Sequence, residues 1–344
     1  MRRIAISDFH FGSPGALGSL PFVLERLEPE LEWADEVVIV GDLFTLMFAD
    51  WKTSIEAAQP FLNLVAKNVD SVVFVPGNHD HHFTIWAADR MRREQALGYG
   101  LSDPRRCEQA EQLLEELMPT VKVRAAYPFV ELDGVSYIHG HHVEAMVCET
   151  GIAAIDYLLW YFRARWPRKL KGYEYESLLA PFYEIAYMTQ QNSPGSVLDK
   201  QRKELLEWSR AGITASGSQR QMRLALLGRM LSDKLDLPWY PKPLRARIEL
   251  MALICRDFAV PSGPVVYGHT HVPHEALTAK RDGGYKFWNS GSWHVGKRHS
   301  ENKMGRHLSL PGTLLRIEDG KIEMRELLAD MTSEDLQLAL VADH

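Results

Sequence analysis

Five short segments of this chain carry side chains suited to binding divalent cations. They are Asp8-Phe9-His10, Gly41-Asp42, Gly77-Asn78-His79-Asp80, His139-Gly140-His141 and Gly268-His269-Thr270-His271. Between them they offer carboxylate, imidazole and amide donors for two adjacent ions, with one imidazole to spare. Two cations that share a water can deliver hydroxide to phosphorus and neutralise charge building on the phosphoryl oxygens. The chemistry implied is hydrolysis of a phosphate ester.

Each segment follows an apolar, strand-like run: residues 4–6, 37–40, 72–75, 135–138 and 265–267. Short continuous runs of this kind fit strands buried on both faces. Amphipathic helical spacing over 20–33, 54–67 and 105–118 separates the first strands, so the segments should sit in loops at the carboxyl ends of strands in an α/β sheet. Asp133-Gly134 and Asp319-Gly320 each separate two short strand runs and read as hairpin turns, which makes the sheets mixed. From 145 to 260 the pattern becomes helical, with breaks expected near Pro167, Pro181, Pro194 and Pro238. A short helix is expected from Met331 onward.

At a strand end, the period-two spacing of Asp8 with His10, and of His269 with His271, would point each pair to one side. Gly41 lets the chain turn sharply ahead of Asp42, whose two carboxylate oxygens could bridge two ions. Asn78 adds a neutral carbonyl, and His79 beside it is free for acid–base work. Each segment also has an ordinary structural reading: Asp42 as a helix cap, Asn78 as a turn residue, His139 as a satisfied core histidine. Their joint occurrence, in order and each after a strand, favours the metal reading. A catalytically silent interaction scaffold would show lost ligands, whereas every position here is filled.

The ordered set DxH, GD, GNHD, HGH and GHTH resembles the calcineurin-like metallophosphoesterase family. Asn289-Ser290-Gly291-Ser292-Trp293 is similar to the strand and turn that follow GHxH in that family. The resemblance covers residues 1–144 and 261–325. It implies a four-layer αββα sandwich of two mixed sheets, here with a helical insertion. On this reading 1–144 and 261–330 form the metallophosphoesterase core, 145–260 a cap or lid, and 331–344 a tail. It further implies that Asp8, His10 and His271 bind one ion, that Asn78, His139 and His269 bind the other, and that Asp42 bridges them. His79 would hydrogen-bond the phosphate or protonate the leaving oxygen. Asp80 is expected to orient His79, His141 to fix the orientation of a ligand, and His81 to line the cleft. His142, His274, His294, His299 and His307 read as surface or packing residues, with His274 and His294 the nearest to the site in sequence. Mixed oxygen and imidazole donors suit manganese, iron or zinc, with manganese expected, and a donor set without thiolate does not fit a purely structural zinc site.

Composition bounds the setting. The 344 residues are 46% hydrophobic and 24% charged, as in a water-soluble globular protein. The N-terminus runs straight into Asp8 and His10 without an apolar leader, and no stretch approaches the ~20 apolar residues of a membrane span. Three scattered cysteines, Cys107, Cys148 and Cys255, fit reduced thiols in a cytoplasm. The net charge is −6, but 145–260 carries 17 Lys/Arg against 12 Asp/Glu. That region could draw in an anionic substrate or touch a membrane surface peripherally. Nucleic acid is not expected, since no dense basic stripe accompanies the overall negative charge.

The partner implied is therefore an anionic phosphoester. The reaction expected is cleavage of a phosphodiester or pyrophosphate bond, with phosphomonoesters as an alternative. Within the insertion Tyr157, Trp160, Tyr161, Phe162, Trp166, Tyr173, Tyr175, Phe182, Tyr183 and Tyr187 interleave with arginines and lysines. Most should pack the insertion's own core; a lid over a nucleotide-containing or amphiphilic substrate is the functional reading. Gly41-Asp42-Leu43-Phe44 with Phe48 and Trp51 is similar to the UDP-diacylglucosamine hydrolase branch of the family, which commonly has Arg where this chain has His79. The Ser/Thr phosphatase branch typically reads GNHE where this chain has Asp80.

Overall fold

Runs of valine and isoleucine become strands here because both of their faces find apolar partners. The computed structural model describes residues 1–97, 104–143, 172–192, 244–279, 284–295 and 311–342. Strands β1 (Arg3–Ile6), β2 (Glu36–Ile39), β3 (Ser71–Phe74) and β5 (Lys122–Tyr127) lie parallel in a seven-stranded sheet. β11 (Thr313–Glu318) and β12 (Lys321–Glu326) extend it on the β1 side, and β4 (Arg105–Arg106) closes the other edge, all antiparallel to their neighbours. The second sheet has the order β6 (Phe129–Leu132), β7 (Val135–Ile138), β8 (Gly263–Tyr267), β10 (Tyr285–Asn289), β9 (His274–Thr278). It is mixed too: β7, β8 and β10 run parallel, while β6 and β9 are antiparallel edges.

Strand alternation sorts the core into layers. Ala5, Val38, Val40, Val73 and Val75 pack with Val130, Tyr137, Val266 and Trp288 of the second sheet, so this cluster is the dry seam between the sheets. Their neighbours Ile4, Ile6, Val37, Ile39, Val72 and Phe74 belong to the other cluster, with Leu27 and Leu31 of α1 (Pro21–Trp33), Phe61 and Val65 of α2 (Trp51–Asn68), Met91 of α3 (Ile85–Ala96) and Leu114 of α4 (Glu108–Leu117). On the second sheet Tyr267, Val265 and Phe287 share that cluster with Met251, Ala252 and Cys255 of α6 (Leu244–Asp257). Helix, sheet, sheet, helix is the resulting four-layer αββα order.

Local signals explain the boundaries. Both hairpins close on Asp-Gly with positive φ at each residue (48° and 80°, 48° and 75°), the left-handed turn geometry that matches strand twist. Helix α2 starts three residues earlier than its apolar spacing suggests because the Asp50 carboxylate caps the Thr53 amide at 2.9 Å. Helix α5 (Gly172–Asn192) does not break at Pro181 as expected. Burial of Leu179, Tyr183 and Tyr187 on either side offsets the ~3 kcal/mol that an interior proline costs. The breaks expected at Pro167, Pro194 and Pro238, and the insertion residues 157–166, lie outside the described residues. Among the described residues no helix is long and apolar enough to cross a membrane.

Packing and site meet at Phe61. Its ring lies 4.4 Å from that of Phe9 and 5.7 Å from that of Phe11, the two buried residues that bracket His10. Phe61→Ala should cost about 3–5 kcal/mol in denaturant unfolding. Because it frees Phe9 and Phe11, it should also weaken metal retention at 25 °C; unchanged stability would mean the cavity closes by repacking.

Candidate metal centre

The donor residues sit just past their strands, on backbone that most side chains avoid. Asp8, His10, Asp42, His269 and His271 have φ of 57°, 53°, 52°, 65° and 56°. Such left-handed residues cost roughly 1–3 kcal/mol each and persist only where surrounding contacts over-determine them. Those contacts are present: the amides of Asp8 and His10 bond the carbonyls of Gly41 and Asp42 at 3.0 and 2.9 Å, and Trp293 N–H bonds the Asp8 carbonyl at 3.0 Å. The Ser292 hydroxyl donates to the same carbonyl, and Asn289 ties down Gly268 and Thr270. β1 ends at Ile6 and β8 at Tyr267. The pairs therefore converge through alternate left-handed residues and not through the pleat of a strand, which corrects the period-two reading.

Two donor groups form. Asp8 Oδ1 lies 3.2 Å from His271 Nε2 and 3.9 Å from His10 Nε2, and the two imidazole nitrogens are themselves 3.1 Å apart. On the other side Asp42, His139 and His269 gather, with His139 Nε2 3.3 Å from Asp42 Oδ2 and 3.2 Å from Asn78 Oδ1. His139 donates Nδ1–H to the Val40 carbonyl at 2.8 Å, which turns Nε2 toward these groups, where it would ligate once its proton is displaced. Asp42 stands between the two. Its Oδ2 reaches both His139 and, at 3.8 Å, His10, while Oδ1 accepts the His79 amide at 2.8 Å. One oxygen faces both groups, so the two-oxygen bridge read from sequence does not match this geometry.

The arrangement fits cations. Ring nitrogens 3.1 Å apart share one proton, both turned to one carboxylate oxygen, and a divalent ion would replace that proton and use both nitrogens at once. Burial holds His10 and His269 well below the usual histidine range, so both stay neutral and able to ligate. His139 moves the other way: burial opposes its cation, but the Asp42 carboxylate pushes it up to about 10. His271 is raised for the same reason by Asp8. Protons thus gather where the carboxylates demand positive charge, and metal uptake would displace them.

His79 lies at the mouth of this group, its ring 4.4 Å from His10 and 5.4 Å from Phe48, a phenyl ring 47% exposed. Asp80, expected to orient it, does something else. Its carboxylate accepts the amides of Leu43, Phe44 and Gly77 and so locks the Asp42 loop to the Asn78 loop. Burial, with the Asp42 charge, pushes Asp80 up to about 7 against those hydrogen bonds. The residue that holds His79 is Thr45, whose hydroxyl lies 2.9 Å from Nδ1. Nothing in the spacing of Thr45 marks it beforehand.

The motif glycines are where donors pass over backbone. A Cβ on Gly77 would meet Asp42 Oδ1 at 2.2 Å, and one on Gly41, already at φ 85°, would meet His139 Nδ1 at 2.2 Å. Because the Cβ on Gly77 would also meet the Asp42 backbone nitrogen at 2.7 Å, Gly77→Ala should displace Asp42, lower metal affinity at least tenfold and cost some global stability as well. Unchanged metal content by elemental analysis would show that the loop can give way.

Other residues fall in unexpected places. His294 is a neighbour of the site, its ring 5.3 Å from His10 and its Nε2 2.7 Å from the Ser13 hydroxyl. His274 bonds the Tyr267 hydroxyl in the core, and His299 and His307 lie outside the described residues. His142 is buried, not on the surface, and together with His141 it faces Glu176 of α5. His81 is 3.8 Å from the same carboxylate. Tyr183 and Tyr187 pack on the core, Tyr187 stacking on His82 and accepting the Trp51 indole N–H at 3.0 Å. Gln191 bonds the carbonyls of Leu46 and Ala49 and the Trp51 amide, so α5 is seated beside the site.

Comparison with known proteins places these observations. Residues 1–168 match the calcineurin-like phosphoesterase family. A similar solved structure is that of a conserved uncharacterized protein, a predicted phosphoesterase from Streptococcus pneumoniae TIGR4. It is 13% identical and aligned over 96% of this chain and 91% of that one, with a TM-score of 0.27. A search of curated proteins found no match. Asp8, His10, Asp42, Asn78, His79 and His139 lie inside the matched residues; His269 and His271 lie beyond them and reach the same site.

Proposed function

We infer from this chain, a phosphoester hydrolase with a calcineurin-like phosphoesterase domain over residues 1–168, that it cleaves a phosphodiester or pyrophosphate bond at two divalent cations. The observation that carries the proposal is Asp42 Oδ2, a single oxygen within 3.8 Å of ring nitrogens from both donor groups. Asp8, His10 and His271 would hold one ion, Asn78, His139 and His269 the other, with Asp42 common to both. Manganese is the expected metal, and iron or zinc suits the same donors. Bound there, the pair would supply an ionised water and neutralise charge on the phosphoryl oxygens. The chain's own contribution is to fix those donors and to place His79 beside them, steadied by Thr45, for hydrogen bonding to the phosphate and proton delivery to the leaving oxygen.

We take 1–144 and 261–330 as the catalytic core and 145–260 as the insertion that caps it, with α5 its face toward the site and α6 the part that packs on the second sheet. The substrate is an anionic phosphoester, and the proposed setting is cytoplasmic, where Cys107 and Cys255 stay as buried thiols. A nucleotide-containing, amphiphilic pyrophosphate is a second reading, favoured by the exposed Phe48 ring beside His79.

The test is a panel of phosphomonoesters, phosphodiesters and nucleotide pyrophosphates offered to manganese-loaded protein. Diester or pyrophosphate turnover is expected to lead. No hydrolysis of any member, with ions demonstrably bound, would leave the interaction-scaffold reading in its place.

A further inference from the structure

We propose that His141, His142 and Glu176 bind a third divalent cation, at a site separate from the pair and serving to clip helix α5 to the core. The three residues come from different parts of the chain: the turn after β7 supplies the two imidazoles, and the first half of α5 supplies the carboxylate. They are at most 2% exposed. None belongs to the donor groups described above, although the His141 ring lies 5.6 Å from that of His139 and 6.4 Å from that of His269.

The donor atoms lie close enough to share an ion, and because the two imidazole rings stack at 4.2 Å with their planes 27° apart, one ring would turn to bring both Nε2 atoms onto it. Glu176 Oε2 is 3.2 Å from His141 Nε2 and 3.1 Å from His142 Nε2. The Tyr127 hydroxyl lies 2.9 Å from His142 Nε2 and 3.3 Å from His141 Nε2. Ligands about 2.0–2.1 Å from a tetrahedral zinc stand roughly 3.3–3.4 Å from one another. The two imidazole–carboxylate separations match that spacing, and the phenol oxygen stands beside both ring nitrogens.

Hydrogen bonds meet only part of what the cluster offers. Both rings, when neutral, donate through Nε2 to Glu176 Oε2, and the Tyr127 hydroxyl hydrogen-bonds the same carboxylate. Glu176 Oε1 and both Nδ1 atoms have no hydrogen-bond partner. Among the described residues the ion pairs of Glu176 are all with histidines, and no lysine or arginine answers its charge. A buried carboxylate left without a cation costs several kcal/mol. A divalent ion supplies that charge and uses the three converging lone pairs at once. Mixed nitrogen and oxygen donors in a closed, tetrahedral arrangement favour zinc or cobalt over manganese.

The experiment compares wild type with Glu176→Gln after chelation and reloading with zinc, and again with cobalt. Elemental analysis is expected to find one ion fewer per chain in the variant, and the intense visible bands of four-coordinate cobalt should be lost with it. Equal ion content and identical cobalt spectra in the two proteins would overturn the proposal. Should Glu176→Gln fail to fold, Asp8→Asn/Asp42→Asn/His269→Ala, which disables both donor groups of the pair, serves instead: it is expected to keep one ion and the four-coordinate bands, and a folded triple variant with no bound ion would overturn the proposal. Because the readout is a difference at Glu176, it stands or falls independently of how the other donors are filled.

Discussion

Asp42→Asn is expected to lower kcat/KM by about 10³-fold or more and to cut bound metal by at least one ion per chain. The substitution preserves shape, but it removes the negative charge and replaces one carboxylate oxygen with an amide nitrogen. Two functions sit on that carboxylate. Oδ2 lies between His139 and His10, and Oδ1 holds the amide of His79. Losing the charge weakens attraction for both cations, and losing an acceptor loosens the residue proposed as the acid. One preorganised electrostatic contact is commonly worth ~10²–10³ in rate, and here a charge and its geometry go together. The measurement is steady-state kinetics beside elemental analysis. Wild-type turnover in the Asn variant would remove Asp42 from the centre of the site and with it the shared-ion reading.

The second large effect belongs to His79. His79→Ala should reduce kcat by about 10²–10⁴-fold while both ions stay bound, the range for loss of a positioned general acid. The separation is expected because the ring leans on Thr45 and Phe48, whereas the donor groups are held by other contacts. Burial lowers the His79 pKa, although Asp42 works against the shift. In the free protein the ring is therefore neutral near pH 7, and an arriving phosphate dianion would favour its protonated, donating form. Substrates whose leaving group needs no proton, such as p-nitrophenyl esters, should suffer least. A variant that loses metal as readily as activity would instead make His79 a ligand, since its ring atoms also lie near His10 and Asp42.

Much of this was legible in one dimension because the motifs are short and local. Apolar runs marked the strands, Asp-Gly marked both hairpins, and an Asp, His or Asn after each strand marked a loop that could hold a cation. What the spacing could not convey was conformation. Asp8 with His10 and His269 with His271 share a period of two, but the backbone there is left-handed, a state held across the fold where the Asp8 and His10 amides donate to the Gly41 and Asp42 carbonyls, Trp293 N–H to the Asp8 carbonyl and the His269 amide to the Asp8 carboxylate. Asp80 looks like a companion of His79 because it is adjacent, yet its carboxylate serves the Gly77 amide and two amides 36 and 37 residues away. Thr45 carried no mark at all, since a threonine becomes a positioning residue only when a loop from elsewhere delivers a ring to it.

The sequence by itself determined the kind of chemistry, because cation ligands are specified by residue type and each one rides on its own strand–loop unit. Tertiary structure decided which oxygen of Asp42 faces both donor groups, which side chain steadies His79, and that Glu176 meets His141 and His142. These depend on contacts between residues from 32 apart (His10 and Asp42) to 97 apart (Asp42 and His139), set by how two sheets and a helix pack. No local pattern encodes that distance.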